Sequence, residues 1–243
     1  MAVKTSQSGA RILVALERIA ERQPLGVSEL ARALDSSVAA AQRAIATLAE
    51  QGWIRQAVGK PVRWELTGHI HTVAQHAYGS HDLRRRARGA LEELWRETGE
   101  SVLLIVPDDR RFIVADVLES RHFLRSAPPV GLVVPPRASA TAWAMLPYMS
   151  PERQLDFLDV PPDEAMEHEF AATKTRGYAI SRGDVFAGST NLAAPILEAD
   201  GRPIAAVLIS VPNDRSSPSE EARLGAMVLA TAQRLSRGSR AVV

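Results

Sequence analysis

Cysteine is absent from all 243 residues. That excludes a disulfide framework, a Cys-ligated zinc or iron–sulfur site and a thiol nucleophile, and no oxidising compartment is needed for stability. Aromatic residues are scarce, at 5% of the chain. No apolar run approaches the ~20 residues that span a bilayer, and the polar stretch from Met1 to Gly9 lacks the charged flank and apolar core of a leader. The expectation is a cytoplasmic chain, neither secreted nor membrane-embedded. Charge of one sign is lacking too: 29 basic side chains face 28 acidic ones, a net of +1. Taken as an average, that argues against nucleic acid, because phosphate binding is driven by Lys and Arg displacing counterions.

What is present is unevenly spread. Residues 1–70 hold nine basic and six acidic side chains, net +3, and the remainder holds 20 and 22, net −2. The polar, His-bearing run from Gly68 to Tyr78, followed by Arg84, Arg85, Arg86 and Arg88, marks a boundary. Three parts are expected: residues 1–68, a linker or the start of a linker helix at 69–80, and 81–243. The arginine run reads most simply as the exposed side of a linker helix, with DNA-backbone or dimer contacts as the alternatives.

In the first part, Ile12, Leu13, Leu16, Ile19 and Ala20 recur at helical steps and predict an inward face over Gly9 to Arg22, ended by Gln23-Pro24. Val27, Leu30, Ala31 and Leu34 predict a second helix, with Glu29 in its first turn where a negative charge suits the dipole. Asp35, Ser36 and Ser37 form a short turn whose side chains can cap a third helix, whose inward stripe is Val38, Ala41, Ile45 and Leu48. Two β-rich runs, Trp53 to Gln56 and Val62 to Leu66, join across Gly59-Lys60-Pro61 as a hairpin. Three helices and a hairpin make a winged helix-turn-helix. Its third helix enters the major groove and its wing lies against the backbone. The stripe leaves Ala39, Ala40, Gln42, Arg43, Ala46 and Thr47 pointing elsewhere. Gln bonds an adenine edge, Arg a guanine edge, and Ala methyls touch only a thymine methyl, so direct readout rests mainly on Gln42 and Arg43. Lys60 and Arg63 suit phosphate contacts.

In the second part, Leu83 to Thr98 reads as a helix closed by Gly99. Ser101 to Val106 and Arg111 to Val117 form a hairpin, and His122 to Ser126 is expected as a third strand. Helices follow at Ala138 to Tyr148, Pro151 to Leu158 and Asp163 to Thr175, then strands at Tyr178 to Ser181, Thr190 to Leu197 and Pro203 to Val211. Ser217-Pro218-Ser219-Glu220 supplies a cap, a Pro at the first helical position and a capping-box Glu, starting a helix toward Arg234. The fold class is α+β, with one mainly antiparallel sheet.

At this point the sequence resembles the IclR family of bacterial transcriptional regulators over nearly its whole length. The residues that carry the resemblance are Arg43-Ala-Ile-Ala-Thr-Leu-Ala-Glu-Gln-Gly-Trp53-Ile54, Arg137-Ala-Ser-Ala-Thr-Ala142, Arg176-Gly-Tyr-Ala179, Gly188-Ser-Thr-Asn-Leu-Ala-Ala-Pro195 and Asp200-Gly-Arg-Pro-Ile-Ala-Ala206, in that order. The resemblance implies a GAF-like effector domain, a linker helix, and a homodimer or dimer of dimers on a pseudo-palindromic operator in double-stranded DNA. It implies repression or activation, of a catabolic operon, in response to a small-molecule effector. Carried over by position, the effector site comprises Ser139, Ala140, Thr141, Ser181, Asn191, Leu208 and Ser210. Similar regulators commonly have an acidic residue, a Cys and a Ser where this chain has Ser181, Asn191 and Leu208. The departure implies a less charged, more apolar pocket, suited to an aromatic or larger organic acid rather than a two- or three-carbon keto acid. Fewer polar groups at Ala39, Ala40 and Gln42 than in similar regulators imply looser sequence preference or more reliance on DNA shape.

His69, His71, His76 and His81 do not stack imidazoles at i, i+4, so no metal is expected. Neither a Gly-rich phosphate loop nor a nucleophile elbow occurs, so neither an enzyme nor a cofactor is expected. The standing alternative is a ligand-independent DNA-binding or protein-interaction module whose second domain only oligomerises.

Overall fold

The computed structural model describes residues 6–75, 80–183, 185 and 187–238. The chain falls into two compact units, Met1–Tyr78 and Gly79–Val243.

The first unit opens with α1 (Gln7–Arg22), whose Ser6 cap accepts a hydrogen bond from the Gly9 N–H. It begins two residues before the expected start at Gly9, because the cap, not the stripe, starts the helix. The inward residues are Ala15 and Ile19, flanked by Ile12 and Leu16. Leu13 is 64% exposed and Ala20 also faces outward, which corrects the expected stripe. α2 (Val27–Ala33) and α3 (Val38–Glu50) follow, α3 capped by Ser37 on the Ala40 N–H. Gly52, with φ of +75°, turns the chain out of α3 into the wing, a conformation that L side chains resist. The wing pairs β1 (Ile54–Gln56) with β2 (Trp64–Leu66), Arg55 opposite Glu65. Leu25 bridges to Trp64 through two 2.9 Å backbone hydrogen bonds, tying the wing to the α1–α2 turn. The run expected as a linker contains α4 (His69–Gln75).

The second unit is a six-stranded antiparallel sheet in the order β5-β4-β3-β8-β7-β6. Its strands are β3 (Ser101–Asp108), β4 (Arg111–Leu118), β5 (Val133–Val134), β6 (Ala179–Arg182), β7 (Ser189–Leu197) and β8 (Pro203–Pro212). One face packs on α5 (Ser80–Thr98) and α9 (Pro218–Gly238), through Val102, Leu104, Leu192, Ile209, Leu91 and Leu224. The other packs on α6 (Ala140–Met145), α7 (Pro151–Leu158) and α8 (Glu164–Arg176), through Leu103, Ile105, Ala193, Leu208, Met145 and Phe170. With both faces covered, β3, β7 and β8 read as near-continuous apolar runs rather than alternating ones. Among the described residues, no helix is long and apolar enough to cross a membrane.

Two expectations fail here for physical reasons, and a third, the exposed arginine run, holds for Arg84, Arg85 and Arg86 but not for Arg88. Residues 122–126 form no strand: Leu124 O accepts from the Arg215 side chain, Nη2 at 3.2 Å, rather than from a neighbouring strand, and the chain just before is held by side chains too, Trp95 Nε1 donating to Glu119 O at 2.6 Å and Ser120 Oγ to Gly99 O at 2.8 Å. The edge strand beside β4 is β5, further along the chain at Val133–Val134. The helix expected from Ala138 starts at Ala140, since Ala138 is left-handed at φ +62° and Ser139 is the cap; Pro147 then sits in a 3₁₀ turn, Leu146–Tyr148. Within the arginine run, Arg88 is half-buried and, with Arg84, reaches the buried Asp116 of β4, at 3.0 and 3.5 Å. A carboxylate on an otherwise apolar face is thereby charge-paired rather than left alone.

Candidate functional site

Two sites were expected, one in each unit. On α3, burial of Ala41, Ala44, Ile45 and Leu48 turns two parallel rows outward: Val38, Gln42 and Ala46, and beside them Ala39 and Arg43. Ala40, expected to face outward, is only 8% exposed, since it lies on the side that meets the unit's core. Val38, expected inside, is 52% exposed. Thr47 is half-buried and spends its hydroxyl hydrogen on Arg43 O at 3.0 Å. Lys60 is exposed between the wing strands. Arg63, expected to be offered to phosphate, turns inward: Nη2 lies 2.9 Å from Glu29 Oε1, and Nη1 lies 3.0 Å from Oε2 and 2.8 Å from Pro24 O. Glu29 also accepts from the Gly26 N–H at 2.8 Å. That hydrogen bond, then Arg63, holds its carboxyl below the usual carboxylate range. Arg63 therefore braces the wing against the start of α2.

In the second unit a cavity of about 340 Å³, counting its open mouth, lies between the sheet and the start of α6. Leu103, Ile105, Val114, Val134 and Leu208 form its apolar floor, Ser181 and Asn191 a polar flank, Ser139, Ala140 and Thr141 the helix end, and Pro128 and Val185 come from loops. No charged side chain is among these lining residues. Ser139 caps α6 through Ala142 N–H at 3.1 Å, and Ser181 Oγ donates to Ala138 O at 3.0 Å, securing the left-handed residue that aims the helix. Such a non-glycine conformation costs on the order of 1–3 kcal/mol and persists where surroundings enforce it. Thr141 is fully buried and its Oγ1 has no hydrogen-bond partner. At a helix start the first N–H groups are unpaired within the helix, so this end of the cavity offers donors to an anion.

Ser139, Ala140, Thr141, Ser181, Asn191 and Leu208, all expected at the site, are thus brought together. Ser210 is not a lining residue. It stands in register between Asn191 and Ser101 on the same sheet face as Leu208, in a buried row, its hydroxyl also unpartnered. Of the apolar floor only Leu208 was expected; Leu103, Ile105, Val114 and Val134 were missed by sequence reasoning. Their signal was the alternation Leu103, Ile105 and Val114, legible only once each strand's two faces are assigned.

Comparison with known families and proteins bears directly on these two units. Residues 9–57 match the IclR helix-turn-helix domain, and residues 75–237 match the bacterial transcriptional regulator IclR C-terminal domain. The transcriptional repressor IclR of Escherichia coli is 30% identical over 241 residues, covering 93% of this chain and 88% of that protein. The chain belongs to the IclR family of bacterial transcriptional regulators. The acetate operon repressor of Salmonella typhimurium is 29% identical, with the same coverage. Among solved structures, an IclR homolog from Microbacterium hydrocarbonoxydans complexed with 4-hydroxybenzoate superposes with a TM-score of 0.79 at 19% identity, covering 96% of this chain and all of that one. The Thermotoga maritima IclR gives 0.76 at 19%, covering 96% and 98%. At that identity the two structures establish the IclR fold. This IclR-family chain is accordingly a DNA-binding regulator, with a helix-turn-helix unit and a C-terminal unit built on an antiparallel sheet.

Proposed function

We propose that this regulator senses a small organic acid, its carboxylate lying at the start of α6 and its apolar body over the sheet, and so controls a catabolic operon from the cytoplasm. The observation that carries the reading is the Thr141 hydroxyl, fully buried at the cavity and unpartnered. A buried donor without a partner costs about 1–3 kcal/mol, a penalty that a bound acceptor relieves. The uncharged, mainly apolar lining favours an aromatic acid over a two- or three-carbon keto acid, which has little apolar surface to bury. That a regulator of the same fold was solved with 4-hydroxybenzoate supports this choice, and that a relative is named for the operon it represses supports the physiological role.

On DNA, Gln42 and Arg43 read base edges, with Ala39 and Thr47 beside them and Lys60 on the backbone. With a net of only +3 in residues 1–70, one head binds weakly, so two copies act together on a two-fold-related site, as a homodimer or dimer of dimers.

The test is a mobility shift of the full chain on its own upstream DNA at several salt concentrations, with and without 4-hydroxybenzoate, glyoxylate or pyruvate, beside calorimetry with the same acids. An aromatic-acid response is expected; tight keto-acid binding with no aromatic-acid response refutes the ligand class. DNA binding indifferent to every acid leaves the ligand-independent module instead. Arg43→Ala is expected to lose about 1–3 kcal/mol on specific DNA, whereas Lys60→Ala lowers the salt slope. Equal losses for Arg43→Ala on specific and random DNA defeat its base-reading role.

A further inference from the structure

Val38 is the first residue of α3 and half exposed, although its apolar spacing assigns it to the core. The reason it turns out is local. Ser37 fixes the first turn by capping the Ala40 N–H at 3.2 Å, and with Ala40, Ala41 and Ala44 inside, the row two residues before Ala40 and Ala44 has to face away. Val38, Gln42 and Ala46 follow one another at four-residue steps along that face, all exposed, next to Ala39 and Arg43. An exposed β-branched residue does not serve the helix, where Ala is the better former. It presents two methyl groups at the end of α3 that, in a helix-turn-helix protein, reaches base edges.

The one apolar group that bases offer in the major groove is the thymine methyl. We infer that Val38 is a specificity-determining residue of this regulator, packing on a thymine methyl beside the base pair that Gln42 reads. Four residues of helix rise about 6 Å and successive bases are about 3.4 Å apart, so that thymine lies about two base steps from the adenine contacted by Gln42. The reading surface is then one amide, one guanidinium and a row of methyls. The inference rests on α3 being the base-reading helix.

The experiment selects duplexes from a random library with the full chain and with Val38→Ala. Deoxyuridine then replaces each selected thymine in turn, a change that removes only the methyl, with binding measured at constant salt. Enrichment of thymine at one position per half-site is expected, and deoxyuridine there weakens the wild-type complex about fourfold per half-site, the worth of one buried methyl group. Val38→Ala binds the thymine and deoxyuridine duplexes equally and loses only that position from its selected sequence. Because Val38 is exposed the variant folds, which circular dichroism checks. If deoxyuridine has no effect at any half-site position, or if Val38→Ala keeps the thymine preference, the inference is overturned while base reading by Gln42 and Arg43 stands. If no sequence is enriched at all, both fall.

Discussion

Replacing Thr141 by Val separates what the buried hydroxyl costs from what it does. The two side chains have the same shape, so the change removes one polar atom that has no partner and leaves the packing of α6 in place. An unsatisfied buried hydroxyl costs about 1–3 kcal/mol, and replacing it by a methyl group recovers a part of that, about 1 kcal/mol. In a unit of this size that raises the melting temperature by about 2–4 °C. Ligand binding moves the other way. A hydroxyl donating to a carboxylate contributes about 1.5–3 kcal/mol, so 4-hydroxybenzoate is expected to bind about 10- to 150-fold more weakly to the variant. Thr173→Val is the matched control. Its hydroxyl is equally buried and unpartnered, but it lies on α8 and does not line the cavity, so stability rises and ligand binding is unchanged. Thermal melts and calorimetric titrations of the full chain read both quantities. Thr141→Val with unchanged stability and unchanged affinity refutes the reasoning, since the hydroxyl would then be neither unsatisfied nor used.

Two helix glycines predict opposite outcomes for one substitution. A Cβ at Gly89 of α5 meets nothing within 4 Å, so Gly89→Ala is expected to gain about 0.5–1 kcal/mol from helix propensity, whereas a Cβ at Gly225 of α9 falls 2.2 Å from the Tyr178 ring and Gly225→Ala is expected to lose about 1–3 kcal/mol to overpacking. Urea titrations decide it, and a stabilising Gly225→Ala is the contrary result. Acid sensitivity is expected to include Glu221, whose carboxyl is held below the usual range first by hydrogen bonding to Arg182 and then by Ser216, against burial. Because the folded value is the lower one, this contribution is complete above the unfolded carboxylate range and is lost as pH falls through the folded value. Glu221→Gln should flatten the acid limb of the stability curve; an unchanged limb contradicts the assignment.

Much of the fold follows from short-range signals. α7 begins at Pro151 after Ser150, α9 after Ser217 with Glu220 N–H on the Ser217 hydroxyl, and β7 and β8 meet across Asp200-Gly201, all recognisable because caps, prolines and turns act within a few residues. The polar half of the cavity was legible through the order of its motifs. The part of its apolar half on β3, β4 and β5 was not, because which face of those strands it shares with Asn191 depends on the strand order of the sheet.

The sequence by itself determined the type and order of most elements, that a net positive three-helix head precedes a larger α+β unit, and which segments resemble a ligand-responsive regulator. Tertiary structure alone decided which residues at the rim of a stripe are covered: Val38 out and Ala40 in, Leu13 out and Ala15 in. It also decided that Arg63 answers Glu29, Arg88 answers Asp116, and Arg215 answers Glu100 across 115 positions of chain. Helical periodicity sets the phase of a face only to about one residue, and a charge chooses its partner by distance in space, which the spacing along a chain does not record.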